Sequence, residues 1–245
     1  MDEFLALISD RSAVLRAAAA SAPSLDARVP GCPEWTLRDL VAHLGGVQRF
    51  WESVVRAGAA DGPPPESARG DLTPQGDLLE WSAASTDLLI ATLRETSPDQ
   101  PCWVWWMPSG APKTAGAVAR HQVQEAAVHA WDAEETIGKP TPIPAVISTD
   151  AIAEFVEVSL GSEGAWPHAP AQLTLAATEG LAWTIDLTPS GATLLATPPG
   201  AVPATVTAPA SDLLLALFGR VPPSSLRIDG DAEIFEQMLA WADTQ

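Results

Sequence analysis

The stretch CPEWTLRDLVAHLGGVQRFWESVVRAG, residues 32 to 58, reads as the entry and body of one long amphipathic helix. Thr36 is a good helix N-cap, because its hydroxyl can accept a backbone N–H of the first turn. Asp39, three residues on, can return the bond and complete an approximate capping box. Leu37, Leu40, Val41, Leu44 and Val47 then recur at helical spacing and mark the face that must be covered. His43 lies beside that stripe, so it is expected to face the interior. Trp35 reads as the hydrophobic lead-in to the helix.

Working outward, helical periodicity also marks residues 2 to about 20, with Phe4, Leu5, Ile8, Val14 and Leu15. SAPS at 21–24 breaks it. Past the Pro- and Gly-rich loop DGPPPESARGD (61–71), a third helix is predicted from about Pro74 to Glu95, and a fourth from about Thr114 to Ile137. Four helices with mixed connections predict an antiparallel bundle. GKPTPIP, 138–144, carries three prolines in seven residues and reads as a linker. Beyond it the period changes. A helix at about 145–160 precedes the β-rich runs AQLTLAAT, LAWTIDL, ATLLAT and PATVTA. SDLLLALFG reads as a helix capped by its serine, SLRIDG as a strand, and DAEIFEQMLAWA as a last helix. Two domains are predicted, 1–140 and 145–245, with an α+β second half.

The chain has 245 residues, 47% of them hydrophobic, enough to bury a sizeable core. Asp and Glu outnumber Lys and Arg by 31 to 13, for a net charge of −18. Such a surface repels nucleic acid and anionic membrane, so the expected partner is a small molecule or another protein. Cys32 and Cys102 are too few for a disulfide framework. The first residues lack the basic-then-apolar pattern of a signal peptide, and no apolar run is long enough to span a bilayer. A cytoplasmic protein, monomer or homodimer, is expected. Two Lys against eleven Arg, with no Tyr, fits a high-GC genome.

HQVQEAAVHAWDAE, 121–134, carries the chemistry. His121, Glu125 and His129 follow at steps of four, about 40° apart on one helical face. His121 and His129 are separated by about 12 Å of rise, whereas metal–ligand bonds are about 2 Å. Glu125 and His129 can therefore grip one ion, and His121 cannot join them. With His43 from the facing helix they compose a two-His, one-carboxylate set, the kind that bundles build from inward residues. On spacing alone a hydrogen-bonded core histidine is the commoner outcome.

The pattern C-P-x-W-T-x-x-D-L-x-x-H-L-G at 32–45, followed by E-x-x-V-H-x-W-D at 125–132, resembles the N-terminal domain of mycothiol-dependent maleylpyruvate isomerases, within the DinB-like metalloenzymes. The tail, with ASDLLLALFGR at 210–220, resembles that family's sterol-carrier-like α+β domain. The resemblance implies a two-domain α+β protein whose four-helix bundle binds Zn2+ through His43, Glu125 and His129, with mycothiol as the thiol cofactor. It implies an isomerase acting on an electrophile such as a dicarboxylate, or an S-transferase sharing the first step. A water-activating metal hydrolase and a non-catalytic metal-binding module are the competing classes. The family often has His before this Glu and Arg after this His, where this chain has Gln124 and Ala130. The bundle signature is shared by many actinobacterial relatives whose reactions differ or are unknown.

A dicarboxylate needs a cation, and Arg220 is the candidate, with Arg227 behind it; the alternative for Arg220 is capping its own helix. Asp132 is either a hydrogen-bond partner of His129 or a solvated turn residue. Trp103, Trp105 and Trp106 are read as strand-like packing that closes the bundle, or else as the mouth of the site. Cys32 is expected to be a small buried thiol. His121 and His168 are expected at the surface or in loops.

Overall fold

A computed structural model describes residues 1–196, 200 and 202–242. It divides into two compact units, the first comprising Met1–Trp105 and Pro112–Ile143, the second Trp106–Ala111 and the chain from Pro144 onward. The first unit holds α1 (Asp2–Ser21), a hairpin of β1 (Arg28–Val29) and β2 (Cys32–Thr36), α2 (Leu37–Ala57), α3 (Leu78–Glu95) and α4 (Ala115–Thr136). Helix α1 packs on α3 and α4, and α2 packs on the same two. The four therefore form a square in which α1 and α2 lie across one diagonal, α3 and α4 across the other.

The hairpin fixes where α2 begins. Leu37 N–H donates to Ala27 O at 3.0 Å and Arg38 N–H to Leu25 O at 2.9 Å. The capping box is complete: Asp39 N–H donates to Thr36 Oγ1 at 3.3 Å, and Thr36 N–H to Asp39 Oδ2 at 2.9 Å. Those bonds from the Thr36 hydroxyl and backbone hold the Asp39 carboxyl below its ordinary range. Helix α3 starts later than the sequence predicts, because Asp77 rather than Pro74 sets the boundary. Asp77 Oδ1 accepts the N–H groups of Leu79 and Glu80 at 3.0 and 2.9 Å.

The stripe Leu37, Leu40, Val41 and Leu44 is fully buried against Leu15, Ala18 and Ala19 of α1 and Ala126, Ala130 and Ala133 of α4. Each such leucine stabilises the fold by roughly 1.5–3 kcal/mol. The alanines keep α4 slim where its partners press closest. Glycine serves the same end on α2: a Cβ at Gly45 would collide with the Trp81 indole, and one at Gly46 would lie 2.9 Å from Leu72 O. The LGG of the opening motif is thus a packing device. Buried polar groups tie three helices together: Gln48 Nε2 donates to Ser12 Oγ at 2.8 Å, and Thr86 Oγ1 to Gln48 Oε1 at 2.8 Å. Gln122 of α4 is different. It is fully buried, and neither amide atom has a hydrogen-bond partner among the described residues.

The second unit begins with α5 (Ala145–Phe155), which the chain extends by a π-helical turn, Val156–Leu160. Strands β3 (Ala171–Ala177), β4 (Ala182–Thr188), β5 (Gly191–Leu194), β6 (Ala204–Ala208) and β7 (Arg227–Gly230) form one sheet in the order β5-β4-β3-β6-β7. The central β3–β6 pair is parallel and its neighbours antiparallel. Leu173, Leu175, Val206 and Ala208 alternate inward, against α6 (Ala210–Leu217) and α7 (Ala232–Trp241). The strand read at ATLLAT stops at Leu194, and its Thr197 lies outside the described residues.

Two sequence expectations are corrected here. Ser211 does not cap α6 but lies inside it; the N–H of Ala210 donates to the Glu179 carboxylate at 3.0 and 3.1 Å instead. CWVWWM is not a strand: the chain turns at 105–108, and only Pro101 and Thr114 form an isolated β-bridge nearby. Among the described residues no helix is long and apolar enough to cross a membrane.

Candidate metal centre

Helices α2 and α4 bring His43, Glu125 and His129 together, with one ligand atom from each lying within 4.8 Å of the others. Glu125 Oε1 is the hinge. It sits 3.0 Å from His43 Nε2 and 3.3 Å from His129 Nε2. A tetrahedral ion with bonds of about 2.1 Å spaces its ligands about 3.4 Å apart, so these separations suit one small divalent cation. The donor set, two imidazole nitrogens and a carboxylate oxygen, is one that zinc accepts.

The two histidines are braced by neighbouring side chains. His129 Nδ1 lies 3.0 Å from Asp132 Oδ2, and the Asp132 side chain has no exposure. That contact fixes the proton on Nδ1 and turns Nε2 toward the trio. The spacing of three that made Asp132 a candidate partner therefore has a structural counterpart. Trp35 covers the other side, its ring 4.5 Å from that of His43 at a tilt of 44°. The two imidazoles meet edge-on, with centroids 5.0 Å apart. Burial alone would raise the Glu125 carboxyl, but the charge and hydrogen bonds of His129 and His43 hold it well below its usual range. His129 moves the other way. Burial disfavours its charged form, yet Glu125 and Asp132 raise it to about 9.

Beside the trio opens a cavity of about 490 Å³. His43 and Glu125 form part of its wall, continued by Val47, Phe50, Trp51, Leu72 and Trp105. His121 lines it too, edge-on to Trp51 and Trp105 with centroids 5.9 and 5.8 Å away. The sequence reading placed His121 at the surface or in a loop; it is not in a loop but half-buried on a helix. It stands on α4, one turn before Glu125 on the same face. That spacing was the available signal, and setting it aside as a third ligand hid its place in the wall.

The tryptophans divide. Trp105 is 42% exposed and lines the cavity, Trp103 is half-buried against Trp51, and Trp106 is fully buried in the second unit. Cys32 is half-buried rather than buried, its Sγ 4.0 Å from Asp132 Oδ2. Cys102 is buried, and that burial raises its thiol to about 11, so it stays protonated at neutral pH. His168 lies exposed in a loop beside Trp166. In the second unit Arg220 follows α6 and donates from Nη1 to Phe218 O at 2.7 Å, the contact of a helix-end residue. Arg227 is exposed and pairs with Asp229 at 3.0 Å.

A helical bundle presenting two imidazoles and a carboxylate, followed by a five-stranded α+β unit, defines a class of two-domain proteins with a candidate metal site in the bundle. The profile of the mycothiol maleylpyruvate isomerase N-terminal domain matches residues 5–134, and that of the C-terminal domain of the same family (MDMPI) matches 146–237. The chain belongs to this mycothiol maleylpyruvate isomerase family. No curated protein matches it in sequence. The crystal structure of the mycothiol-dependent maleylpyruvate isomerase is similar, with a TM-score of 0.59 at 18% identity, covering 89% of each chain. A histidine-to-alanine variant of such an isomerase gives a TM-score of 0.58 at 17% identity, covering 89% of this chain and 90% of that one. At such identities the likeness establishes the fold.

Proposed function

We propose that the chain is a zinc-dependent enzyme that uses the thiol mycothiol as a nucleophile against a small electrophile. The observation that carries this reading is the trio: His43, Glu125 and His129 within 4.8 Å of one another at the edge of a cavity. Three protein ligands leave one position for an outside ligand. Zinc bound there would hold a coordinated thiol as its thiolate at neutral pH. The chain's own residues supply the rest. Asp132 keeps His129 Nε2 aimed at the trio, Trp35 and Glu125 fix the His43 ring, and Phe50, Trp51 and Trp105 line the cavity beside it.

Family membership supports isomerisation of a cis-enedioic acid such as maleylpyruvate. The thiol sulfur adds to one alkene carbon, the former double bond rotates as a single bond, and elimination returns the thiol with the trans product. For this reaction Arg220 is the candidate partner of a substrate carboxylate. S-transfer shares the addition step and keeps the adduct. Phe50, Trp51 and Trp105 in the cavity wall support the second reading, because they offer aromatic contacts to an electrophile that need not be a dicarboxylate. In both the enzyme works in the cytoplasm, as a monomer or homodimer.

Incubating zinc-loaded protein with mycothiol and maleylpyruvate decides between them. Fumarylpyruvate with thiol recovered supports the isomerase. Stable S-adducts with other electrophiles, and no isomer, reject it in favour of the transferase. Failure of the protein to bind zinc or mycothiol overturns both.

A further inference from the structure

Trp35 touches more of the candidate metal centre than a packing residue needs to. Its indole lies 4.5 Å from the His43 ring at a tilt of 44° and 6.1 Å from the His129 ring at 40°, while the two imidazoles are 5.0 Å apart. One flat ring therefore spans both nitrogen ligands. Its backbone is pinned on either side. Glu34 O accepts from Arg28 Nη1 at 2.9 Å, and Thr36 closes the capping box with Asp39. The indole also packs against the buried cluster that contains Leu37, Leu40 and Leu44, so swinging aside would cost apolar contact.

The hairpin and the cavity meet the trio from opposite ends of α4. Toward the end of that helix, β1 packs on it, Val29 shares a buried cluster with Ala130 and Ala133, and Cys32 Sγ lies 4.0 Å from Asp132 Oδ2. The cavity lies toward its start, at His121 and Glu125, where the His121 ring is 5.9 Å from that of Trp51. Trp35 thus stands at the hairpin end of the trio. An indole has an N–H donor and no lone pair to give, so it occupies space beside an ion without becoming a ligand. Zinc with three protein ligands takes one outside ligand, and expands to five where a further one can enter.

We infer that Trp35 is a positioning residue that holds this centre at four ligands: it closes the hairpin side of the trio, so that a single outside ligand, arriving from the cavity, completes the set. The inference rests on the metal reading of the trio. Its chemical consequence is that a thiol entering from the cavity replaces solvent at the ion rather than joining it. The thiol proton passes to solvent in that exchange, and no oxidant or reductant is needed. The indole thereby favours sulfur over activated water as the nucleophile.

Full-length protein loaded with Co2+ tests this, because four-coordinate Co2+ absorbs intensely in the visible and the five-coordinate ion much more weakly. The parent is expected to give the intense spectrum with and without mycothiol. Trp35→Ala should lose most of that intensity and bind Co2+ at least about tenfold more weakly, as loss of a group supporting metal ligands does. Trp35→Leu keeps apolar bulk on the core, which covers an alanine variant that fails to fold, and should show the same losses with Tm near that of the parent. Trp35→Phe keeps a ring over His43 and should recover most of both. A leucine variant with the spectrum and affinity of the parent, or a lowered Tm as the only change in either variant, makes Trp35 a packing residue and overturns the inference, as does a parent that is already five-coordinate. The metal reading fails separately: protein that takes up no Co2+ sinks that reading, and the role of Trp35 with it.

Discussion

Among the polar side chains that helix α4 buries, those around His129 and that of Gln122 are treated in opposite ways. At Glu125 and His129, polar atoms are met by a donor or acceptor: His43, Glu125, His129 and Asp132 form a chain of contacts from 3.0 to 3.3 Å. One turn earlier, on the face turned to the core, Gln122 is more deeply buried, with neither amide atom paired among the described residues. Buried polar groups cost stability unless satisfied, and a network is worth keeping only when complete. The first place is therefore arranged around something, and the second is a cost the bundle tolerates. The capping box at Thr36 and Asp39 stands between them, satisfied but exposed.

That contrast can be broken experimentally, and the largest effect is expected at the trio. His43→Ala should strip zinc from the protein and abolish thiol-dependent activity while far-UV circular dichroism stays helical; retention of a full ion by the variant breaks the comparison at its first limb. Asp132→Ala removes the group that orients His129, and zinc affinity should fall roughly 10–100-fold, read by competition with a chromogenic chelator. An unchanged affinity would make Asp132 merely structural. Gln122→Met keeps the shape and removes the unpaired amide, so the protein should gain about 1 kcal/mol, a rise in Tm of roughly 2–4 °C, with zinc content unaltered. A lower Tm would mean that the amide is satisfied in solution. The smallest effect belongs to Asp39→Asn, which weakens the capping box by about 0.5–1 kcal/mol. Because the folded-state pKa of Asp39 is depressed, its contribution is present above the ordinary carboxylate range and is lost as pH falls through the depressed value. The gap in Tm between parent and variant should therefore be full at neutral pH and close in acid; a gap independent of pH contradicts the cap.

What the sequence made legible follows from how local each interaction is. Thr36 and Asp39 are three residues apart, and Glu125 and His129 four, so helix geometry alone brings each pair together. His43 was reachable because the apolar stripe of α2 fixes which way that helix faces. The same logic failed where the partner is distant in the chain. Ser211 looked like a cap, yet Glu179, 31 residues earlier, takes the Ala210 N–H. His121 looked peripheral because Trp51 and Trp105, which frame it in the cavity wall, come from separate segments. Gly45 gave no hint that its absent side chain makes room for Trp81. Periodicity reports which face is buried, not what covers it.

The central claim is that His43, Glu125 and His129 together hold a zinc ion whose remaining position accepts sulfur. X-ray absorption at the zinc edge, on protein purified without chelator and measured before and after mycothiol, tests it most directly. The expected result is a first shell of nitrogen and oxygen alone, to which one sulfur at about 2.3 Å is added with mycothiol. A shell unchanged by the thiol, or one already holding sulfur from Cys32 before it is added, contradicts the account.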